Sequence, residues 1–190
     1  MIGVKTASKR DRTEIEKSVH NHMKAFNKVA FLTIGLGLLS LSASAQTQLP
    51  SISGGTVDIQ GQKGKVVILA VGASWLPLSP KQVEFTNALA KKYAGKPVAV
   101  YFVTTDSINP KSKNHATDQD LSAFASQQKL SVPMLRDPDG SVVVRKFGID
   151  QLPSFVVLDK NGALNGPPFG GIDPKFDITI SISKRVDSMP

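Results

Sequence analysis

Residues 66–80 read VVILAVGASWLPLSP, which combines a buried type of strand, a short loop and the start of a helix. Val66 to Val71 is continuously apolar and rich in β-branched residues, a composition typical of a strand that is covered on both faces of a parallel sheet. Ser79 is then predicted as the N-cap of a helix, because a proline follows it and Gln82 lies three residues after the cap. This helix should run to about Tyr93.

The rest of the chain continues the alternation of strands and helices. The further predicted elements are a strand over 98–104, a loop over 105–117, a helix from about Asp118, a short helix over 141–147, a strand over 154–158 and a hairpin turn over 159–162. The final segment, residues 174–186, is ambiguous because a capping signal at Asp173 precedes an apolar pattern of period two, and we favour a helix. This order predicts one α/β domain, a three-layer sandwich with a central mixed β-sheet flanked by helices.

The first 45 residues have the pattern of a secretory signal. Basic residues up to Lys28 precede an uncharged apolar run over 29–41, which ends at the small residues Ala43-Ser44-Ala45. Cleavage near Ala45 would place the mature protein in the periplasm or in the medium. The alternative is a membrane anchor retained over residues 29–45, although the apolar run is shorter than the roughly 20 residues that a spanning helix needs.

This pattern divides the chain into four predicted segments. They are 1–22, a misread N-terminal extension or a long basic region of the signal; 23–45, the signal peptide; 46–55, a linker; and 56–190, the folded domain. The formal charge of the whole chain is +8, and 16 basic against 12 acidic residues remain after residue 45. These basic residues are scattered and lack interleaved aromatic residues, so the sequence predicts no nucleic-acid partner.

The chain contains no cysteine. Thiolate nucleophiles, thiolate metal sites and iron–sulfur clusters are therefore excluded together. His115 is the one histidine outside the leader, and the aspartates show no metal-ligand spacing. We expect neither a metal nor a cofactor.

Residues 56 to about 186 resemble the thioredoxin-like fold, specifically the secreted TlpA and ResA type of thiol:disulfide oxidoreductase in the redoxin superfamily. Four features carry the resemblance: residues 64–69 (GKVVIL) leading into 73–75 (ASW), the helix that opens at Ser79, the turn at 137–140 (DPDG), and residues 151–162 (QLPSFVVLDKNG). The last of these is the most telling.

The resemblance implies a site that has lost its sulfur atoms. Members of the family carry Trp-Cys-x-x-Cys; here Leu76 stands at the position of the attacking cysteine and Ser79 at that of the resolving cysteine. Pro153 stands where the family has a cis proline that shapes the substrate groove. Leucine cannot ionise or form a mixed disulfide, so the resemblance predicts no thiol–disulfide or peroxidase chemistry.

The resemblance still implies a binding surface, even without the two cysteines. The expected groove consists of Trp75, Leu76, Pro77, Leu78, Leu152 and Pro153. We expect a non-catalytic or chaperone-like protein whose partner is an unidentified exported or membrane protein, with membrane contact only if the leader is retained. In an equally weighted alternative, Leu76 and Leu78 pack against neighbouring residues and close the groove.

A different enzyme on the same scaffold is the second functional hypothesis. Ser79 would act as a nucleophile, with His115 as its base. The capping signature already accounts for the serine, which favours a structural role over a catalytic one. A third hypothesis is a structural protein tethered to the membrane by residues 29–45.

Overall fold

The computed structural model of the chain describes residues 47–190. The predicted extension, signal peptide and membrane anchor lie outside these residues. The strands are β1 (Gln48–Pro50), β2 (Thr56–Asp58), β3 (Val66–Gly72), β4 (Val98–Thr104), β5 (Met134–Arg136), β6 (Ser154–Leu158) and β7 (Phe169–Gly170). The helices are α1 (Ser79–Lys92), α2 (Asp118–Gln127), α3 (Val143–Lys146) and α4 (Ile178–Asp187). None of the helices within residues 47–190 has the length and apolar character to cross a membrane.

Five strands form the central sheet in the order β5, β4, β3, β6, β7. Strand β3 is parallel to β4 and antiparallel to β6, so the sheet is mixed as predicted. The register places Val71 opposite Ser154. The loop that follows β3 therefore lies at the same edge of the sheet as the residues that precede β6.

The core has two parts because successive residues of β3 face opposite sides of the sheet. Ile68 belongs to a cluster that includes residues of α1, α2 and α4, whereas Leu69 belongs to a cluster that includes residues of α3 and β1. All seven residues of β3 are buried. The predicted three-layer arrangement, with a strand covered on both faces, is confirmed.

Part of the predicted linker over 46–55 belongs to the folded domain. Strand β1 pairs antiparallel with β2, with Leu49 opposite Val57. Leu49 is 1% exposed and packs in the second core cluster. The sequence did not show this strand because three residues are too few for a periodic pattern, and the surrounding Pro, Ser and Gly residues indicate turns.

The ambiguous C-terminal segment is a helix, as favoured, but it begins later than the signal at Asp173 predicted. Its N-cap is Asp177, whose carboxylate accepts a hydrogen bond from the backbone N–H of Thr179 at 2.9 Å. At the other end, Asp187 accepts hydrogen bonds from Lys92 Nζ at 3.0 Å and from Tyr93 Oη at 2.9 Å. The hydrogen bond from Lys92 is the largest cause, followed by that from Tyr93, that holds the pKa of Asp187 below its ordinary value. Both bonds tie α4 to the end of α1.

We predict that Leu49→Ala lowers the free energy of unfolding by about 2–4 kcal/mol, the usual cost of truncating a buried leucine. Gln48→Ala is the matched control because Gln48 is the exposed neighbour on the same strand, and its change should stay within about 0.5 kcal/mol. Urea denaturation followed by circular dichroism measures both. Equal stabilities for the two variants would mean that β1 is not part of the cooperative fold.

Candidate functional site

The turn between β3 and α1 presents apolar side chains at the edge of the sheet. The backbone N–H of Leu76 donates to the carbonyl of Ala73 at 3.3 Å, which makes the turn compact. Trp75 is 51% exposed and Pro77 is also exposed, whereas Leu76 and Leu78 are half-buried. Since neither leucine packs against the two core clusters, these side chains are not withdrawn into the interior.

Ser79 is the first residue of α1 and does not cap the helix. The N-cap is Leu78, which makes no side-chain capping bond. The hydroxyl of Ser79 is fully buried and donates to the carbonyl of Ala73 instead. The predicted N-cap is therefore wrong, although the predicted helix is confirmed, because the hydroxyl turns back into the preceding loop.

The proposed Ser79 and His115 pair is not formed within residues 47–190. The hydroxyl proton of Ser79 is already donated to a backbone carbonyl. His115 is an exposed residue of the loop after β4, and its own backbone N–H donates to Ser112 at 3.2 Å. A nucleophilic serine needs a base within hydrogen-bond reach, and the geometry supplies none.

Gln82 joins three elements beneath this turn. Its side chain is fully buried, and Nε2 donates to the carbonyls of Val71 at the end of β3 and Ser154 at the start of β6, each at 3.0 Å. The amide oxygen lies against Gly72, where an added Cβ would come within 2.2 Å of it. That oxygen has no hydrogen-bond partner among the described residues. Gln82 thus fixes where α1 begins relative to both strands.

The Leu152–Pro153 peptide bond is cis, in agreement with the role that the resemblance gave to Pro153. Pro153 is buried, while Leu152 is half-buried and packs against the second core cluster. Because Ser154 is opposite Val71 and bound to Gln82, Pro153 lies at the same edge as the turn after β3. The structure brings both parts of the predicted groove to this edge.

Asp106 is a site residue that sequence reasoning missed. Its carboxylate is 1% exposed and accepts hydrogen bonds from the backbone N–H and the hydroxyl of Ser74, at 2.8 and 2.6 Å, as well as from the hydroxyl of Thr104. Asp106 therefore binds the loop after β4 to the turn after β3. The signal was available in principle, because the carboxyl ends of the parallel strands β3 and β4 meet at one edge.

Comparison with known proteins gives a consistent family and fold. Residues 42–166 match the model of the AhpC/TSA family. The chain is 26% identical to the thiol-disulfide oxidoreductase ResA of Bacillus thuringiensis subsp. konkukian over 111 residues, which cover 58% of this chain and 58% of ResA. The alignment therefore spans less than two thirds of that relative.

Solved structures share the fold at lower identity. One is a candidate thiol:disulfide interchange protein DsbE from Chlorobium tepidum, with a TM-score of 0.62, 23% identity, and coverage of 78% of this chain and 98% of the other. Another is the exposed lipoprotein thioredoxin Etrx1 of Streptococcus pneumoniae, with a TM-score of 0.58, 24% identity, and coverage of 74% and 97%. These likenesses establish a thioredoxin-like fold.

We predict that Gln82→Glu makes stability strongly dependent on pH. Glutamate can donate to a carbonyl only when protonated, so the fold would raise its pKa above the unfolded value of roughly 4.3. A raised pKa gives stability that is present below the unfolded pKa and lost as the pH rises through the folded pKa. The free energy of unfolding of the variant minus that of the wild type should therefore fall by at least about 3 kcal/mol between pH 4 and pH 8. Each pKa unit of the shift corresponds to roughly 1.4 kcal/mol.

The control for this measurement is Gln127→Glu, which places the same change at an exposed position on α2. Its stability relative to the wild type should vary little with pH. Urea denaturation at several pH values compares the three proteins. Parallel pH profiles for Gln82→Glu and Gln127→Glu would show that the amide of Gln82 is not needed as a donor.

Proposed function

The chain belongs to the AhpC/TSA family, and from this premise we propose that it is an exported, cysteine-free member that binds a protein partner without catalysis. The binding region would be the groove surface, defined here as Trp75, Leu76, Pro77, Leu78, Leu152 and Pro153. One observation carries the proposal: the frame of a dithiol site is kept while apolar residues occupy its exposed part. Leu76 stands at the attacking position, and Trp75 beside it is 51% exposed.

The activity named for the relatives requires a group that this chain lacks. Thiol–disulfide exchange proceeds through attack of a thiolate on a disulfide sulfur. With no cysteine anywhere in the chain, no such nucleophile is available from it. The proposed role therefore retains recognition of a polypeptide and omits the exchange step.

The exposure of Trp75 and Pro77, and the hydrogen bonds that order their turn, support recognition. Tryptophan is enriched among the residues that contribute most to protein interfaces, and Trp75 is the one tryptophan of the chain. The turn that carries it is bound at Ser74 by Asp106, and Gln82 holds the first turn of the adjoining helix. A surface that is already ordered loses less conformational entropy on binding.

The remaining hypotheses receive less support from the described residues. For a serine-dependent enzyme, the hydroxyl of Ser79 would have to leave the carbonyl of Ala73, to which it donates, before it could meet a base. Export, to the periplasm or the medium, rests on the signal pattern that ends at Ala45. Sequencing of the mature N-terminus separates cleavage near Ala45 from an anchor retained over residues 29–45.

We predict that a photo-crosslinking residue at position 76, introduced in the native cell, captures a specific protein. The matched control is the same residue at position 161, because Asn161 is exposed on the hairpin turn after β6. Mass spectrometry identifies the adducts, and Trp75→Ala in the position-76 protein should reduce the specific adduct at least tenfold. Adducts that are the same from both positions, or that persist with Trp75→Ala, would contradict a binding role for the groove surface.

A further inference from the structure

The start of α4 exposes two large apolar side chains. Phe176 is 72% exposed and Ile180 is 68% exposed, the highest values among the large apolar residues that the structure describes. They lie four residues apart, one just before the helix and one in its first turn. Large apolar side chains that are exposed close together often mark a contact surface.

These side chains belong to the side of α4 that is turned away from the core. The buried residues of the helix are Ile182, Ser183 and Val186. With 3.6 residues per turn, positions 177, 180, 181 and 184 fall on the opposite, exposed side. We define the α4 face as Phe176, Asp177, Ile180, Ser181 and Lys184.

The two ends of the α4 face carry opposite charges. Asp177 is the N-cap, and its carboxylate accepts from the backbone N–H and the hydroxyl of Thr179, at 2.9 and 2.5 Å. Both donors are neutral, so the carboxylate keeps its negative charge. Lys184 lies about two turns later, is exposed, and forms no ion pair within residues 47–190. An acid and a base are therefore both available to a partner.

The other charges of the surrounding segment do not cancel this polarity. Asp173 and Lys175 precede the helix together and offset each other, and residues 161–172 contain no charged side chain. The charged residues that remain near the end of α4 are engaged elsewhere. They are Arg185, which donates to the carbonyls of Asn165 and Pro167 and stacks on the ring of Phe169, and Asp187, which pairs with Lys92.

We infer that the α4 face binds the α4 face of a second copy of this chain, with the two helices antiparallel about a two-fold axis. A two-fold contact uses the same patch on both copies, so the patch must complement itself. The α4 face does so about the midpoint between Ile180 and Ser181, because the acid precedes this midpoint by as many residues as the base follows it. Asp177 of each copy then faces Lys184 of the other, and Ile180 lies near the axis.

The size of the α4 face indicates a weak dimer. A stable interface typically uses roughly 20–30 residues on each side, so association through a single helix face should depend on protein concentration. Ser181 is small and lets the two helix axes approach to the usual distance of about 8–10 Å. The α4 face shares no residue with the groove surface, so the inference is independent of the proposed function.

Disulfide cross-linking tests the inference, because the chain has no cysteine of its own. In the purified full chain, Ser181→Cys should form a disulfide between two copies under mild oxidation, since position 181 lies next to its own mate across the axis. Ser188→Cys is the matched control: Ser188 is also exposed, but the antiparallel arrangement sets it about 22 Å from its mate. The yield of cross-linked dimer should be at least about fivefold higher for Ser181→Cys, because a disulfide needs Cα atoms within about 7 Å.

Charge reversal separates this contact from random collision. In the Ser181→Cys chain, Lys184→Glu sets like charges against each other across the axis and should lower the yield at least about tenfold. Lys91→Glu makes the same change in the last turn of α1, outside the α4 face, and should leave the yield unchanged. Equal yields from Ser181→Cys and Ser188→Cys, or a yield that survives Lys184→Glu, would overturn the inference and leave the proposed function intact.

Discussion

The position of the site depends on one buried amide. The Nε2 of Gln82 donates to the carbonyl of Val71 near the end of β3 and to the carbonyl of Ser154 at the start of β6. Its Oε1 occupies the space that a Cβ atom on Gly72 would need. Two buried carbonyls of the β3–β6 pair thereby each accept a hydrogen bond from the same side chain of α1. The start of α1, the end of β3 and the residues around Pro153 consequently keep a fixed relation in a chain that has no cysteine.

Much of the fold could be predicted because long apolar elements carry strong patterns. Val98–Thr104 and Ser154–Leu158 were predicted with the bounds that the structure shows, and the mixed sheet follows from the hairpin turn after β6. Strands β1 and β5 escaped prediction because three residues do not establish a period. Their place is decided by tertiary contacts, such as the burial of Leu49 and the bridge between Ser51 and Leu135.

The site could be predicted only in part. The family pattern predicted a site at Leu76, Ser79 and Pro153, and the structure brings the turn after β3 and Pro153 to one edge of the sheet. The hydrogen bonds that hold these two parts could not be predicted from the sequence. In the sequence, Gln82 resembles any residue of a first helical turn, and Asp106 resembles any aspartate of a loop. The capping pattern correctly predicted a helix here but wrongly made Ser79 its N-cap, because the Ser79 hydroxyl donates to the carbonyl of Ala73.

We propose that the turn after β3 and the cis Leu152–Pro153 bond keep the arrangement of a dithiol site in a chain without cysteine. The most direct test is the rate at which purified protein reduces insulin disulfides in the presence of dithiothreitol, for the wild type and for the double variant Leu76→Cys/Ser79→Cys. We expect a background rate for the wild type, and for the variant a disulfide between positions 76 and 79 with a rate above background. Activity in the wild type, or a double variant that forms no such disulfide, would contradict it.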